Sequence, residues 1–353
     1  MRKVAVIPGD GIGIDVTREA VKVLEAVSDV TRAELTLDEF DYGAEKYLAT
    51  GITLPDADLE KLKVYDAIFI GALGDPRVPD MTHARDILLG MRFKLDLYVN
   101  HRPVRLIHEA LCPLKGRKPG DIDIVFFREN TEGAYVGMGG IFKKGTADEV
   151  AVQEDVNTRK GVERIIRHAF EFAKTHGRRK VTMSDKSNAL RFGHDIWQRV
   201  FRIVAEEYPG IEADHWYVDA LAMQLVKAPE KFDVVVACNM FGDILTDLGA
   251  ALQGGLGLAA SGNIHPGRHA MFEPVHGSAP KDAGKNVANP LAAIVAAQMM
   301  LEPVGLVEGA ELIGRAVLGA VADGATTKDL GGSLGTRESG DDIVRRIRSF
   351  TRA

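Results

Sequence analysis

The sequence predicts an α/β protein with a largely parallel core sheet, and three observations carry that expectation. Short apolar runs bounded by Gly, Asp and Pro alternate with amphipathic segments along most of the chain. Several of those runs, "VVVAC" among them, are continuously apolar, as strands buried on both faces are. At 353 residues the chain is too long for one simple core and long enough for two domains.

The elements follow in order. "KVAVIPG" reads as a buried strand, with a helix after it from about Gly13 to Ser28. "ELTLDEF" alternates like a strand, "YDAIFIGALG" is a second buried strand ending in glycines, and "HARDILLGMRFKLDLYV" reads as a helix. Beyond these come the strand "DIDIVFFREN", the helix "TRKGVERIIRHAFEFAKTH" and the strands "KVTMSD" and "FDVVVACN". Residues 133–155 break the pattern, with two extended segments joined by a Lys-Lys-Gly-Thr turn. Such a hairpin suits an arm that pairs with a partner subunit, and equally an antiparallel edge excursion. The chain shows no internal repeat and no low-complexity tract.

Composition narrows the function classes. Lys and Arg number 44 against 50 Asp and Glu, a net charge of −6 that argues against nucleic-acid or anionic-membrane surfaces. Cys112 and Cys238 form neither a disulfide framework nor a zinc spacing and fit a reducing cytoplasm, with Cys238 expected as a small buried residue. "MRKVAVIPGDGIG" breaks too early for a signal peptide, and "LAAIVAAQMML" is too short to span a bilayer.

The candidate chemistry lies at strand ends and in loops. "PGDGIGID" follows a strand, but the third glycine of a G-x-G-x-x-G fingerprint would fall at Ile14, so no classical Rossmann site is expected. Arg92, Arg102 and Arg128 suit an anionic ligand if they converge, because a guanidinium fork holds carboxylates bidentately. Lys186, beside Asp185 at a strand end, is a candidate base if it sits among cations, and Tyr135 a candidate proton donor. Asp219, Asp243 and Asp247 offer only hard oxygen donors, which suit Mg²⁺ or Mn²⁺ rather than zinc. Asp243 and Asp247 lie about one helical turn apart and would repel by roughly a few tenths of a kcal/mol. A helix cap at Asp243 and a solvated Asp247 are the alternatives. "EPVHGSAPKDAGKNVANP" is a loop of small residues able to approach a flat ligand or phosphate closely.

These stretches together resemble the β-decarboxylating dehydrogenases, the family of isopropylmalate, isocitrate, homoisocitrate and tartrate dehydrogenases. The resemblance runs through "IPGDGIG", "GALGDP", "LDLYVNHRP", "RENTEGAY", "DKSNAL", "FDVVVACNMFGDILTDLGA", "GNIHP", "EPVHGSAP" and "DLGGSLGT". It implies a two-domain fold, with a discontinuous cofactor domain at 1–101 and 254–353 and a substrate, metal and dimerisation domain at 102–253. It implies that Arg92, Arg102 and Arg128 hold the malate carboxylates, that Tyr135 protonates the enol and that Lys186 takes the hydroxyl proton. Asp219, Asp243 and Asp247 become metal ligands, with Lys186 and Asp219 supplied by the other subunit of a homodimer clasped by the 133–155 arm. The nicotinamide cofactor is expected against Ile12, Leu73, Glu273, His276, Gly277, Ser278, Ala279, Lys281, Asp282, Asn289 and Asp329.

The substrate expectation rests on the helix before Arg92. Isocitrate enzymes resemble one another in carrying Ser and Asn where this chain has Asp86 and Leu88. Leu88 and Leu89 resemble the paired leucines of isopropylmalate enzymes, and an apolar wall would leave an extra carboxylate unpaired. Tartrate-type enzymes share the leucines, and "RENTEGAY" resembles their version of that motif, so a tartrate or D-malate activity is the alternative, then homoisocitrate or isocitrate. Lys281 resembles NADP-dependent isocitrate enzymes, whereas "TTKDLGGSLGT" resembles NAD forms; NAD is expected, with NADP open. A metal-dependent lyase and a silent binding protein are the competing classes, separated by nicotinamide reduction.

Overall fold

The computed structural model describes residues 1–350. In chain order the elements begin β1 (Arg2–Ile7), α1 (Ile12–Thr31), β2 (Leu35–Glu39), α2 (Ala44–Thr50), α3 (Asp56–Leu62), β3 (Ala67–Ile70) and α4 (Thr82–Lys94). They continue β4 (Val99–Arg105), β5 (Asp123–Glu129), β6 (Gly139–Phe142), β7 (Val150–Gln153), α5 (Arg159–Thr175), β8 (Lys180–Asp185), α6 (Gly193–Ala205), β9 (Glu212–Tyr217) and α7 (Val218–Lys227). The last are β10 (Val234–Ala237), α8 (Asn239–Gln253), β11 (Ala260–His265), β12 (His269–Pro274), α9 (Leu291–Leu301), α10 (Val307–Ala322) and α11 (Thr336–Phe350).

The chain divides into two compact units. One comprises Met1–Leu97, Leu106–Gly120 and the described chain from Ala250 onward; the other comprises Tyr98–Arg105 and Asp121–Gly249. The expected division put residues 102–253 together. It differs because 106–120, an excursion between the antiparallel partners β4 and β5, docks Ile107 and Leu111 on the core of the first unit.

In the first unit the strands run β2-β1-β3-β12-β11, all parallel except the β11–β12 pair. Val4 and Val6 of β1 face a core shared with α1, α9, α10 and α11, while Ala5 and Ile7 face a second core containing Ile87 and Met91 of α4. Burial on both faces is why these strands read as unbroken apolar runs. Along α1 the buried Val16, Ala20, Val23, Leu24 and Val27 form one stripe at helical spacing. Truncating Leu24 to Ala there would cost about 2–5 kcal/mol. Helix α9 is buried nearly all round, which explains its lack of a polar face. Helix α4 ends at Lys94 rather than continuing to Val99, because Asp96 takes a left-handed φ of 49° and the Leu97 amide turns back to the Arg92 carbonyl at 2.8 Å.

In the second unit the strands run β4-β5-β10-β8-β9, with only β4–β5 antiparallel. Every residue of β10 is buried, and Cys238 just beyond it is buried as expected. Helix α5 packs against β5, β8 and β10. Its buried face is Val162, Ile165, Ile166, Ala169, Phe170 and Ala173. Residues 133–155 contain the expected hairpin, with Phe142 opposite Val150 in the β6–β7 pair. The Thr146 amide closes its turn on the Lys143 carbonyl at 3.2 Å. Among the described residues no helix is long and apolar enough to cross a membrane.

His101 on β4 and His168 on α5 pack around Phe127, at ring separations of 5.1 and 4.8 Å. Burial lowers the His101 pKa to about 3 and the His168 pKa to about 4, with neighbouring histidine charge adding to both. The unfolded side chain titrates near about 6.5, so below that pH the unfolded state binds more protons. Both histidines therefore contribute stability above about pH 6.5 that is lost as the pH falls toward the folded values. The urea midpoint should drop between pH 7 and pH 5 with a smaller slope in His168→Gln than in the unmodified chain. Equal slopes would remove His168 from the acid response.

Candidate active site

The second unit gathers most of the expected catalytic groups on one face of α8. Strand β10 delivers the chain into α8 at Asn239, so Asp243 lies in the second turn and caps nothing. Asn239, Gly242, Asp243, Thr246 and Asp247 recur at three- and four-residue spacing and therefore share a face. Arg128, at the end of β5, donates from Nε to Asn239 Oδ1 at 2.9 Å and from Nη1 to Asp243 Oδ1. Arg102, on β4, donates from Nη1 to Thr246 Oγ1 at 2.7 Å. Its Nη2 lies 3.2 Å from Asp243 and its Nη1 lies 3.6 Å from Asp247. The Tyr135 hydroxyl donates to Asp243 Oδ2 at 3.0 Å, and the Arg128 guanidinium lies 5.1 Å from the Tyr135 ring centre.

Arg102 and Arg128 are 7% and 2% exposed, which excludes an ordinary surface role. A buried guanidinium requires an anion, and Asp243 supplies it to both. Burial raises the pKa of Asp247, Arg102 opposes that shift, and the neighbouring charge of Asp243 adds to it. The expected repulsion between the two aspartates is thus present and is offset by the arginines.

Three contributors escaped sequence reading, although they stand on the same helix as Asp243 and Asp247. Asn239 bridges Arg128 to the Glu132 carbonyl, and Thr246 receives Arg102. Gly242 leaves room for the arginine: a Cβ there would lie 2.6 Å from Cβ of Arg128. Their signal was the helical spacing from Asp243. Upstream, the buried Glu129 accepts from the Thr131 and Glu132 amides, closing the turn that leads to Tyr135.

Lys186 and Asp219 form a separate pair. Lys186, after β8, donates from Nζ to Asp219 Oδ1 at 2.6 Å in the first turn of α7, and that contact holds the Asp219 carboxyl below its ordinary pKa. Lys186 therefore sits in a salt bridge, with the Tyr217 ring 5.9 Å away, and not in the cationic setting that would make it a base within one chain. Asp185 is fully buried; burial opposes its ionisation, but hydrogen bonds from His215, Ser187 and Gln198 prevail and lower its pKa. Among the described residues no three His, Cys, Asp or Glu side chains gather as a metal-holding group, so Asp219 does not join Asp243 and Asp247 within one chain.

The first unit holds Arg92 and every residue expected at the cofactor. Arg92 is buried on α4 and donates to Glu273 Oε1 at 3.0 Å; Asn263 donates to the same oxygen at 2.8 Å. Leu88 and Leu89 are half-buried on that helix, and Arg85 lies 3.5 Å from its neighbour Asp86. The Ile12 amide donates to the Ser278 carbonyl at 2.7 Å, joining the β1–α1 turn to the loop after β12. Gly11, at φ 56°, must be glycine, because a Cβ would lie 2.2 Å from that carbonyl oxygen. The Asp10 amide donates to the Ala72 carbonyl, which brings Leu73 beside the same turn.

Burial lowers the pKa of His276, Gly277 is exposed, and Ala279 takes a left-handed φ of 35° at the start of a short turn that exposes Lys281 and Asp282. Asn289 donates to Asp329 Oδ2 at 2.9 Å, and Thr327 donates to Asp329 Oδ1 at 2.5 Å.

Comparison with known proteins finds relatives along nearly the whole chain. The isocitrate/isopropylmalate dehydrogenase family matches residues 3–343. The 3-isopropylmalate dehydrogenase of Thermobifida fusca is 50% identical over 349 residues, covering 98% of this chain and 97% of that protein. The 3-isopropylmalate dehydrogenase of Frankia casuarinae is 47% identical, covering 98% and 99%. The isocitrate dehydrogenase structure from Methylococcus capsulatus superposes with a TM-score of 0.90 at 40% identity, covering 99% and 100%. A family match over residues 3–343, with a relative 50% identical over nearly the whole length of both chains, shows that this chain belongs to the isocitrate/isopropylmalate dehydrogenase family.

Proposed function

We propose that this chain is an enzyme of leucine biosynthesis that oxidatively decarboxylates 3-isopropylmalate to 2-oxoisocaproate, with hydride passing to NAD. The convergence of Arg102, Arg128 and Tyr135 on Asp243 carries this reading, because it joins carboxylate binders, a proton donor and a hard oxygen donor. The half-buried Leu88 and Leu89 favour an isopropyl group over a charged substituent, and the exposed Arg85 lies 3.5 Å from Asp86. A tartrate or D-malate substrate is the second reading, favoured by the same leucines.

Asp243 and Asp247 fit Mg²⁺ or Mn²⁺, since both present carboxylate oxygens from one helix face. When bound, the cation supplies Lewis acidity at the substrate hydroxyl, and the nicotinamide supplies a hydride acceptor. Arg102 and Arg128 of the second unit, and Arg92 of the first, are the carboxylate binders that this reading assigns to orienting the substrate. Lys186 takes the hydroxyl proton as hydride leaves the adjoining carbon. Carbon dioxide then departs, its bonding electrons remain behind as an enolate, and Tyr135 delivers a proton to its carbon, giving the ketone.

A homodimer completes this scheme, the Lys186–Asp219 pair of one subunit serving the site of the other. Its support is exposed apolar surface on the second unit: Ile141, Phe142, Val150 and Val152 on the hairpin, Met223 and Val226 on α7, and Met240 and Ile244 on α8. Two free cysteines are in keeping with a cytoplasmic setting.

Incubation with Mn²⁺ and NAD should yield NADH fastest with 3-isopropylmalate, ahead of D-malate, tartrate, isocitrate and homoisocitrate. No reduction with any acid and either nicotinamide would sink the dehydrogenase reading. Lys186→Met should lower kcat by about 10²–10⁴-fold with an unchanged circular dichroism spectrum. Near-normal turnover would remove Lys186 as the base. Lys281→Asp should raise the NAD to NADP ratio of kcat/KM, and an unchanged ratio would mean that Lys281 does not reach the adenosine ribose.

A further inference from the structure

Asp10, 4% exposed in the turn between β1 and α1, ties together three segments of the first unit. Its Oδ1 accepts from the Ala44 amide at 2.6 Å, at the start of α2. Its Oδ2 accepts from the Gly74 amide at 2.8 Å and from His83 Nε2 at 2.8 Å. Gly74 directly follows Leu73, and His83 stands in the first turn of α4, the helix that carries Leu88, Leu89 and Arg92.

His83 is fully buried, and with Ile87 and Met91 it forms a stripe at four-residue spacing down α4. Ile87 and Met91 are apolar core residues. His83 is the polar member of that stripe, and the Tyr47 ring stacks on it at 6.0 Å. The other side-chain tie at the helix start is exposed, Asp80 accepting from the Thr82 amide at 3.1 Å and from its hydroxyl at 2.5 Å, while Met81, left-handed at φ 53°, offers no side-chain cap. An apolar stripe tolerates small rotations and slides, because dispersion contacts are non-directional. A hydrogen bond to a buried carboxylate does not, since losing a donor leaves that charge underpaired.

We propose that Asp10 and His83 are positioning residues that set the rotation and height of α4, and thereby the selectivity of its leucine pair for the substrate side chain. The proposal rests on the reading of Leu88 and Leu89 given above. Neither residue touches the reacting atoms; both act through α4, and the Gly74 contact ties that helix to the loop carrying Leu73.

The test uses the full chain with His83→Leu, His83→Asn and His83→Gln, each checked by circular dichroism and Tm. Leu removes the donor, Asn is too short to reach Asp10, and Gln carries a donor at the reach of Nε2. His83→Leu and His83→Asn should raise KM for 3-isopropylmalate about tenfold while KM for NAD stays within about twofold. The same variants should lower the 3-isopropylmalate to D-malate ratio of kcat/KM by about tenfold, and His83→Gln should bring both quantities back to within about threefold of the unmodified enzyme. A lower Tm with KM and the ratio unchanged would make the pair a plain structural tie and overturn the proposal. If His83→Leu does not fold, the Asn and Gln variants decide, and equal kinetics in those two overturn it. If the unmodified enzyme oxidises other acids but not 3-isopropylmalate, the substrate reading has failed on its own, and the ratio is taken between the two best acids. Inactivity of the unmodified enzyme toward every acid overturns both readings.

Discussion

The Asp243 carboxylate is the point to which the chemistry of the second unit is tied. Arg102 comes from β4, Arg128 from β5 and Tyr135 from the turn after β5, and all three make a polar contact with that one side chain. Removing two guanidinium groups from water is costly, and the cost is met only when an anion and good hydrogen bonds accompany them. Asp243 supplies the anion, Asn239 and Thr246 supply the additional acceptors, and Gly242 supplies the space. An isolated aspartate pair on a helix would be mildly destabilising; set against two buried arginines, it becomes the counter-charge that lets them stay.

The first unit solves a different problem, bringing several loops close enough to present one surface. Backbone carbonyls do much of this. Ala72 and Ser278 accept from the amides of Asp10 and Ile12, and the glycines of "PGDGIG" are where those strands of chain come too close for a side chain. A nucleotide-binding fingerprint would have explained the same glycines through phosphate contact. Crowding by neighbouring carbonyls explains them here without one, and the absence of a glycine at position 14 follows, since Ile14 sits on the more exposed side of α1.

Much of the fold was legible because burial on both sides of a parallel sheet leaves unbroken apolar runs, and because α1 and α5 carry clean helical stripes. The misreadings have local causes. The end of α4 was overextended because "LDLYV" keeps an apolar character that helix and strand share, and only the left-handed Asp96 breaks it. The unit boundary was misplaced because residues 106–120 return to the first unit between two strands of the second, a route that pattern does not encode. In the candidate site the residue types were legible but their partners were not: that Lys186 pairs with Asp219, 33 residues away, is set by the fold.

Sequence alone determined the α/β class, the hairpin and the set of chemically able residues, because periodicity and residue type are local properties. Tertiary structure decided which of those residues meet. It put Arg102 and Arg128 on Asp243, kept Asp219 with Lys186, and drew the helix bearing Leu88 and Leu89 to Asp10 through His83. Those pairings join positions 33 to 141 residues apart along the chain, and only packing brings such distant positions within hydrogen-bonding reach.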